Sequence, residues 1–257
     1  MKERTSVKLT LAYDGTDFHG FARQPGLRTV QGELEKWLSE ASERPVEVIG
    51  ASRTDAGVHA GAQAVQFAAD SLKVPPERLM AYARGTLPHD LTIKNWEVVP
   101  ADFHVRFAAR WKTYRYMLDL GQVPDVFVRR FATHVPQPLS EEAMREGASA
   151  LHGTHDFTSF CAAKAEQTDK VRTIYRIHFF RQSDDLMAID VTGNGFLYHM
   201  VRNIVGTLVE VGKGKIPPTA LAPILEAHDR RAAGPTAPPQ GLTLWHIEYH
   251  KDWLDDQ

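Results

Sequence analysis

The sequence predicts an α+β protein built on antiparallel sheet, and three observations lead there. Strand-like alternation and helix-like spacing both occur, but strands and helices do not alternate regularly along the chain. No Gly-rich dinucleotide fingerprint follows a strand, which argues against a doubly wound sheet. Arg172 to Phe180 and Leu186 to Val191 read as strands joined only by the polar turn Ser183 to Asp185, as an antiparallel hairpin requires.

The elements follow in order. Val7 to Tyr13, V-K-L-T-L-A-Y, alternates as a half-buried strand, and Asp14-Gly15 then signals a turn. Thr29 is placed to cap a helix with Val30, Leu34, Trp37, Leu38 and Ala41 on one face. Pro45 to Ile49 reads as a strand, Ser52 to Ala60 as a polar turn, and Ala62 to Phe67 as a strand again. Pro75-Pro76 opens a helix to about Arg84, and Leu91 to Val99 is a strand. A long strand from Phe107 to Leu120 is rich in Trp and Tyr. Ser140 caps a further helix with Glu141 and Glu142 in its first turn, where negative charge meets the positive helix end. After the hairpin, Gly193-Asn194-Gly195 breaks the chain before a helix from about Tyr198 to Val211. A short helix, Thr219 to Ala227, a Pro/Gly/Ala-rich loop, Ala232 to Gly241, and a closing strand, Leu242 to Tyr249, complete the chain. No flexible linker separates the halves, so two halves sharing one sheet and two separate domains both fit.

Composition narrows the class. A chain of 257 residues, 43% hydrophobic and 24% charged, has the make-up of a globular protein with a real core. Cys161 is the single cysteine, so no disulfide forms within the chain, as expected for the cytoplasm. Met1 to Ser6 is too polar for a secretory signal, and no apolar run approaches the length of a membrane span. The net charge of −2 does not advertise a nucleic-acid partner. Its distribution is uneven, however. Arg106, Arg110, Lys112 and Arg115 crowd one segment, Arg129-Arg130 and Arg230-Arg231 form basic pairs, and acids gather at Asp184-Asp185 and Asp255-Asp256. A basic face with an acidic back and an ordinary solvated surface are both compatible with that pattern.

Three segments have residues suited to chemistry. In Arg53-Thr54-Asp55-Ala56-Gly57-Val58-His59-Ala60, an aspartate beside an arginine sits in a small-residue turn between strands. Positive charge would keep the carboxylate ionised as a nucleophile or base; alternatively Asp55 only satisfies turn amides. In Lys112-Thr113-Tyr114-Arg115-Tyr116, aromatic and basic residues interleave on a strand. That suits either a stacking platform beside a phosphate track or a core tyrosine pair with surface charge. In Gly193 to Asn203, Arg202 lies one turn beyond Tyr198 on an otherwise apolar helix and calls for an acidic partner, as an internal salt bridge or at a functional site. Twelve histidines include no H-E-x-x-H or tight cluster, so no metal is expected.

Together these segments resemble the TruA family of tRNA pseudouridine synthases over nearly the whole chain. The resemblance is carried by Tyr13-Asp14-Gly15-Thr16, Thr29 to Glu35, Arg53 to Ala60, Leu87-Pro88, Phe103 to Phe107, Tyr114-Arg115-Tyr116, Gly153 to Phe157, Phe196 to Gly206 and Pro235 to Leu242, in the family's order. It implies two α/β halves, 1–104 with the aspartate loop and 105–257 with the tyrosine and arginine. Each half would resemble an RNA-recognition motif, and the two would share a continuous, mainly antiparallel sheet with helices on one side, the pseudouridine synthase fold. It implies isomerisation of uridine to pseudouridine at positions 38, 39 and/or 40 of the tRNA anticodon stem-loop. Asp55 would be the catalytic aspartate and Arg202 its salt-bridge partner. Tyr114 would stack on the target base and Arg53 would help hold the flipped nucleotide. Arg110, Lys112 and Arg115 are candidate RNA contacts. The family works as a homodimer on tRNA. Isomerisation involves no redox change or external group, so no cofactor is expected.

Two positions depart from the family pattern: Ser52 stands where glycine is usual, and Phe21-Ala22 where Trp-Gln is common. The first bears on the shape of the aspartate loop, the second on an aromatic packing or RNA-facing position. Two other functions remain compatible with parts of the pattern. An RNA-binding module would keep the basic and aromatic strand without needing Asp55. A nucleoside glycosidase would release free base, but such enzymes ordinarily use two carboxylates, and one stands in a strong motif here.

Overall fold

A computed structural model describes residues 5–72, 75–163, 165 and 168–249. Among these, the elements run β1 (Thr5–Tyr13), α1 (Val30–Ser42), β2 (Ile49–Gly50), β3 (His59–Ala68), α2 (Pro76–Thr86), β4 (Leu91–Pro100) and β5 (Ala109–Asp119). They continue as β6 (Thr133–His134), α3 (Glu141–Ser149), β7 (Gly153–Asp156), β8 (Val171–Arg181), β9 (Leu186–Gly193), α4 (Met200–Gly212), α5 (Leu221–Glu226) and β10 (Leu242–Tyr249). The protein is therefore mixed α+β with mainly antiparallel strand pairs. Its backbone divides into two compact units, 5–110 with 244–249, and 111–243.

In the first unit β1 is central. It pairs antiparallel with β3 (Val7 opposite Phe67) and with β4 (Val7 opposite Val98), and β2 adds to β3. The order β4-β1-β3-β2 on a β-α-β-β-α-β chain is the split βαβ arrangement of RNA-recognition-motif-like folds. Val7, Leu9, Leu11 and Tyr13 form one buried face of β1, and Val30, Leu34, Trp37 and Leu38 the buried face of α1. Thr29 caps α1 as expected, accepting from the Gly32 amide at 3.2 Å. Trp37 joins the two helices: its ring stacks on Tyr82 and its N–H donates to Thr86 Oγ1 at 2.8 Å.

The strand expected at Pro45 to Ile49 shrinks to the two residues of β2, for a visible reason. Side chains of α1 take over its backbone groups: the Val46 amide donates to Ser39 Oγ and the Val48 amide to Glu35 Oε1, while Gln31 Nε2 donates to the Val48 carbonyl. Val46 and Val48 are still buried, so the alternation is real while the ladder is not.

Residues 103–105 are bonded within the first unit. Val105 N donates to Gln66 Oε1, Gln66 Nε2 to the Phe103 carbonyl, and Tyr249 Oη to the Val105 carbonyl. These bonds tie 103–105 and most of the closing strand to β3 of the first unit.

In the second unit β5, β9, β8 and β7 pair in that order, all antiparallel, and β6 lies parallel to β5. β6 and β7, two and four residues long, are too short to show a period in sequence. Ser140 caps α3 by accepting from Ala143 N. α4 is buried on nearly every side, from Met200 and Val201 through Ile204, Val205 and Leu208 to Val211, so it is the core helix of this unit. It begins at Met200, two residues later than expected, because His199 adopts a left-handed conformation (φ 62°) that the helix cannot include.

Candidate active site

In the first unit two of the family's motifs prove to be one structure. The loop carrying Asp55 lies against Tyr13-Asp14-Gly15-Thr16 and the residues after it. Tyr13 Oη meets Thr54 Oγ1 at 2.8 Å, the Phe21 amide donates to the Thr54 carbonyl at 3.0 Å, and the Gly57 amide to the Phe18 carbonyl at 3.3 Å. The Gly15 amide donates to His59 Nδ1 at 2.9 Å. Gly15 must be glycine because a Cβ there would collide with the Val58 carbonyl. Within the loop, the Val58 amide donates to the Asp55 carbonyl at 3.1 Å, closing a turn around Ala56-Gly57. Arg53 is exposed, Thr54 buried and Asp55 partly buried, and the backbone is anchored on both sides of them.

Both departures from the family pattern are accommodated. Ser52 is nearly buried, its amide donating to Gln63 Oε1 and its carbonyl accepting from Gln63 Nε2. These bonds hold the loop entrance. Phe21 is buried with its ring against Gly50, so this position packs and does not face RNA.

The supporting segment is itself clamped. Arg28 donates two bonds to Asp90, at 2.7 and 2.9 Å, and its guanidinium lies 4.1 Å from the Phe18 ring centroid. The hydrogen-bonded Arg28 guanidinium holds the Asp90 carboxyl below its ordinary value of 3.8, against the opposing effect of burial. A carboxyl depressed by folding contributes stability above its unfolded pKa and loses it as pH falls through its folded pKa. Asp90→Asn should therefore lower the melting temperature at pH 7 by roughly 2–4 °C, for a pair discounted by the partial exposure of Arg28 to about 1 kcal/mol. The gap from wild type should shrink as pH falls below the carboxylate range, and paired thermal melts at the two extremes check it.

In the second unit both tyrosines of β5 are buried, Tyr114 at 7% exposed. Tyr116 is wholly buried; it bonds Thr133 Oγ1 at 2.6 Å and the Pro238 carbonyl at 2.8 Å, and burial pushes its pKa up. Tyr114 meets Phe196 edge to face at 5.1 Å, which sets the plane of its ring. Arg115 faces Asp190 across the β5–β9 pair and donates to both its oxygens, at 2.7 and 2.8 Å. With side chains only 14% and 17% exposed, this pair is a strap within the sheet, and the expectation of an RNA contact at Arg115 does not suit it. The sequence shows the arginine, but only the strand register shows its partner. Lys112 lies opposite Gly193 on the same strand, and Arg110 is exposed in the first unit.

Arg202 stands in the first turn of α4, and its motif interlocks with Pro235-Thr236-Ala237-Pro238. Arg202 Nε donates to the Ala237 carbonyl at 2.8 Å, and the Ala237 amide donates to the Arg202 carbonyl at 3.0 Å. The neighbouring Asn203, fully buried, accepts from Thr236 Oγ1 and Arg230 and donates to the Phe160 carbonyl. The structure thus places Arg53, Asp55 and Arg110 in one unit, and Lys112, Tyr114, Arg115 and Arg202 in the other.

Sequence reasoning missed His59, Tyr13 and Thr54 as supports of the aspartate loop. Their presence in the motifs was the available signal. Among the described residues no three His, Cys, Asp or Glu side chains are grouped to hold a metal ion, and no helix is long and apolar enough to cross a membrane.

Comparison with known proteins agrees with these motifs. The sequence pattern of a family described as tRNA pseudouridine synthase matches residues 10–108 and 148–250. A protein named tRNA pseudouridine synthase A from Geobacillus sp. (strain WCH70) is 47% identical over 245 residues, 95% of this chain and 98% of that one. Proteins of the same name from Brevibacillus brevis and Bacillus subtilis are each 48% identical, covering 95% of this chain and 99% and 98% of theirs. A solved Cbf5-Nop10-Gar1 complex aligns over 79% of this chain and 45% of that one with 11% identity and a TM-score of 0.36, a likeness too slight to carry weight. With matches of this extent along both units, the chain belongs to the tRNA pseudouridine synthase family of isomerases.

Proposed function

We propose that this protein isomerises uridine to pseudouridine in tRNA, at positions 38, 39 and/or 40 of the anticodon stem-loop, with Asp55 as nucleophile. In the reaction the N1–C1′ bond breaks, the uracil turns, C5 bonds to C1′, and the C5 proton is lost while N1 gains one. Nothing is oxidised or added, so the chemistry asks for no cofactor. The observation that carries the assignment is the double anchoring of the R-T-D-A-G-V-H-A loop, which fixes the backbone on both sides of a partly exposed carboxylate. A nucleophile needs that combination of fixed position and access.

The target base must leave its stack, at a cost of a few kcal/mol, and Tyr114 stacking on it offsets roughly 1–3 kcal/mol. Arg202 is the salt-bridge partner of the catalytic carboxylate, and Arg53 holds the flipped nucleotide. The reaction would occur in the cytoplasm, with tRNA and a second copy of the chain as partners. Val123, Val126 and Phe127, exposed together in the loop after β5, favour the second partner.

The test is tRNA transcript labelled with tritium at C5 of uridine. Release of tritium to water, followed by mapping of the modified sites, supports the proposal. Folded protein that binds tRNA without release supports a binding module, and free uracil a glycosidase. Salt dependence separates the basic residues of β5. Arg110→Ala or Lys112→Ala should each reduce the slope of log affinity against log salt by about 0.7–0.9 for every phosphate the side chain had neutralised. Arg115→Met should leave the slope unchanged and instead destabilise the fold by about 1–3 kcal/mol, since it strands Asp190.

A further inference from the structure

We propose that His59 is a positioning residue for Asp55, acting through the hydrogen bond its Nδ1 accepts from the Gly15 amide. The inference rests on the reading of Asp55 as nucleophile. His59 is the first residue of β3, four beyond Asp55, and is 2% exposed. The backbone of Gly15 runs so close to Val58 that no side chain fits between them, and this approach brings its N–H to the imidazole at 2.9 Å.

An amide can only donate, so Nδ1 presents its lone pair and the neutral ring carries its proton on Nε2. Asp14 Oδ1 also lies 3.2 Å from Nδ1, a distance that would suit a charged ring. That oxygen, however, already accepts from the amide and hydroxyl of Thr16, and a proton on Nδ1 would face the Gly15 N–H. The acceptor arrangement is the consistent one.

Asp55 thus hangs between two fixed points. Upstream, Thr54 is held through Tyr13 and Phe21; downstream, His59 is held through Gly15. Losing the downstream bond leaves only the longer bond from the Gly57 amide to the Phe18 carbonyl, at 3.3 Å, to hold Asp55, Ala56 and Gly57 on that side. Catalysis feels the resulting drift in kcat, because a displacement near 1 Å at the reacting group costs about a hundredfold. Substrate binding, spread over a large RNA surface, should not notice it.

Asn and Leu have nearly the same shape, and the Asn carbonyl oxygen reaches the place of Nδ1, so they isolate the acceptor. His59→Asn should keep single-turnover kcat on tRNA within about threefold of wild type, whereas His59→Leu should lose about a hundredfold with tRNA Kd within about twofold. Should His59→Leu fail to fold, His59→Gln replaces it, since its amide reaches the place of Nε2 and the same loss is expected. Wild-type kcat in the folded Leu or Gln variant overturns the inference, as does an equal loss in the Asn variant. Asp55→Asn is run alongside. Turnover by that variant sinks the Asp55 reading itself, while an inactive Asp55→Asn beside an unimpaired His59→Leu sinks only the role of His59.

Discussion

Asp55→Asn should abolish pseudouridine formation while leaving tRNA affinity within about twofold of wild type. The substitution keeps the shape of the side chain and removes the charge. Hydrogen bonds through Thr54, Gly57, Val58 and His59, and through the Asp55 carbonyl, hold the loop, and the variant retains them. A neutral amide is a far weaker nucleophile, and the change acts on the chemical step alone. A fall in single-turnover rate of at least about ten-thousandfold, roughly 5.5 kcal/mol of transition-state stabilisation, is the expected scale. Tritium release and filter binding on the same preparation measure the two halves of the prediction. Release near the wild-type rate would remove Asp55 from the chemistry; loss of affinity in step with rate would make it a binding residue.

The second large effect is expected at Gly206, and its sign runs against the usual rule. Gly206 lies within α4, where replacing glycine by alanine ordinarily stabilises a helix by about 1 kcal/mol. Here a Cβ would collide with the Pro235 carbonyl and press on the Ala237 amide. Both belong to the segment that holds Arg202 and Asn203 through Ala237 and Thr236. Overpacking against backbone costs about 1–3 kcal/mol, which exceeds the propensity gain. Gly206→Ala should therefore be destabilised by up to about 2 kcal/mol net and should lose kcat, because the segment that orients Arg202 is displaced. Urea unfolding and single-turnover rates test both parts. A variant more stable than wild type would show that the Pro235 segment yields freely and does not set the position of Arg202.

These effects bear on what the sequence makes legible. The caps at Thr29 and Ser140, β1, the β8–β9 hairpin and the closing strand β10 are legible because each is decided by contacts within a few residues: a side-chain oxygen on a helix amide, a period of two, a polar turn. Pro45 to Ile49 misleads for the same reason. Its alternation records burial, and burial is local, but whether its amides find a strand or the side chains of α1 is not. Arg115 reads as an RNA contact because its partner Asp190 lies 75 residues away and meets it only through register.

The sequence by itself determined the family and the residues to which its chemistry is assigned, since the motifs are short and their order along the chain is specific. It also determined most element types. Only the tertiary structure decided how the motifs pair: Tyr13 to Thr16 with the Asp55 loop, and Pro235 to Pro238 with the start of α4. In sequence Gly15 reads as part of a turn and Gly206 as part of a helix, whereas in the fold each is the one residue small enough for two backbones to touch. That approach joins chain segments distant in sequence, and periodicity and composition report only on neighbours.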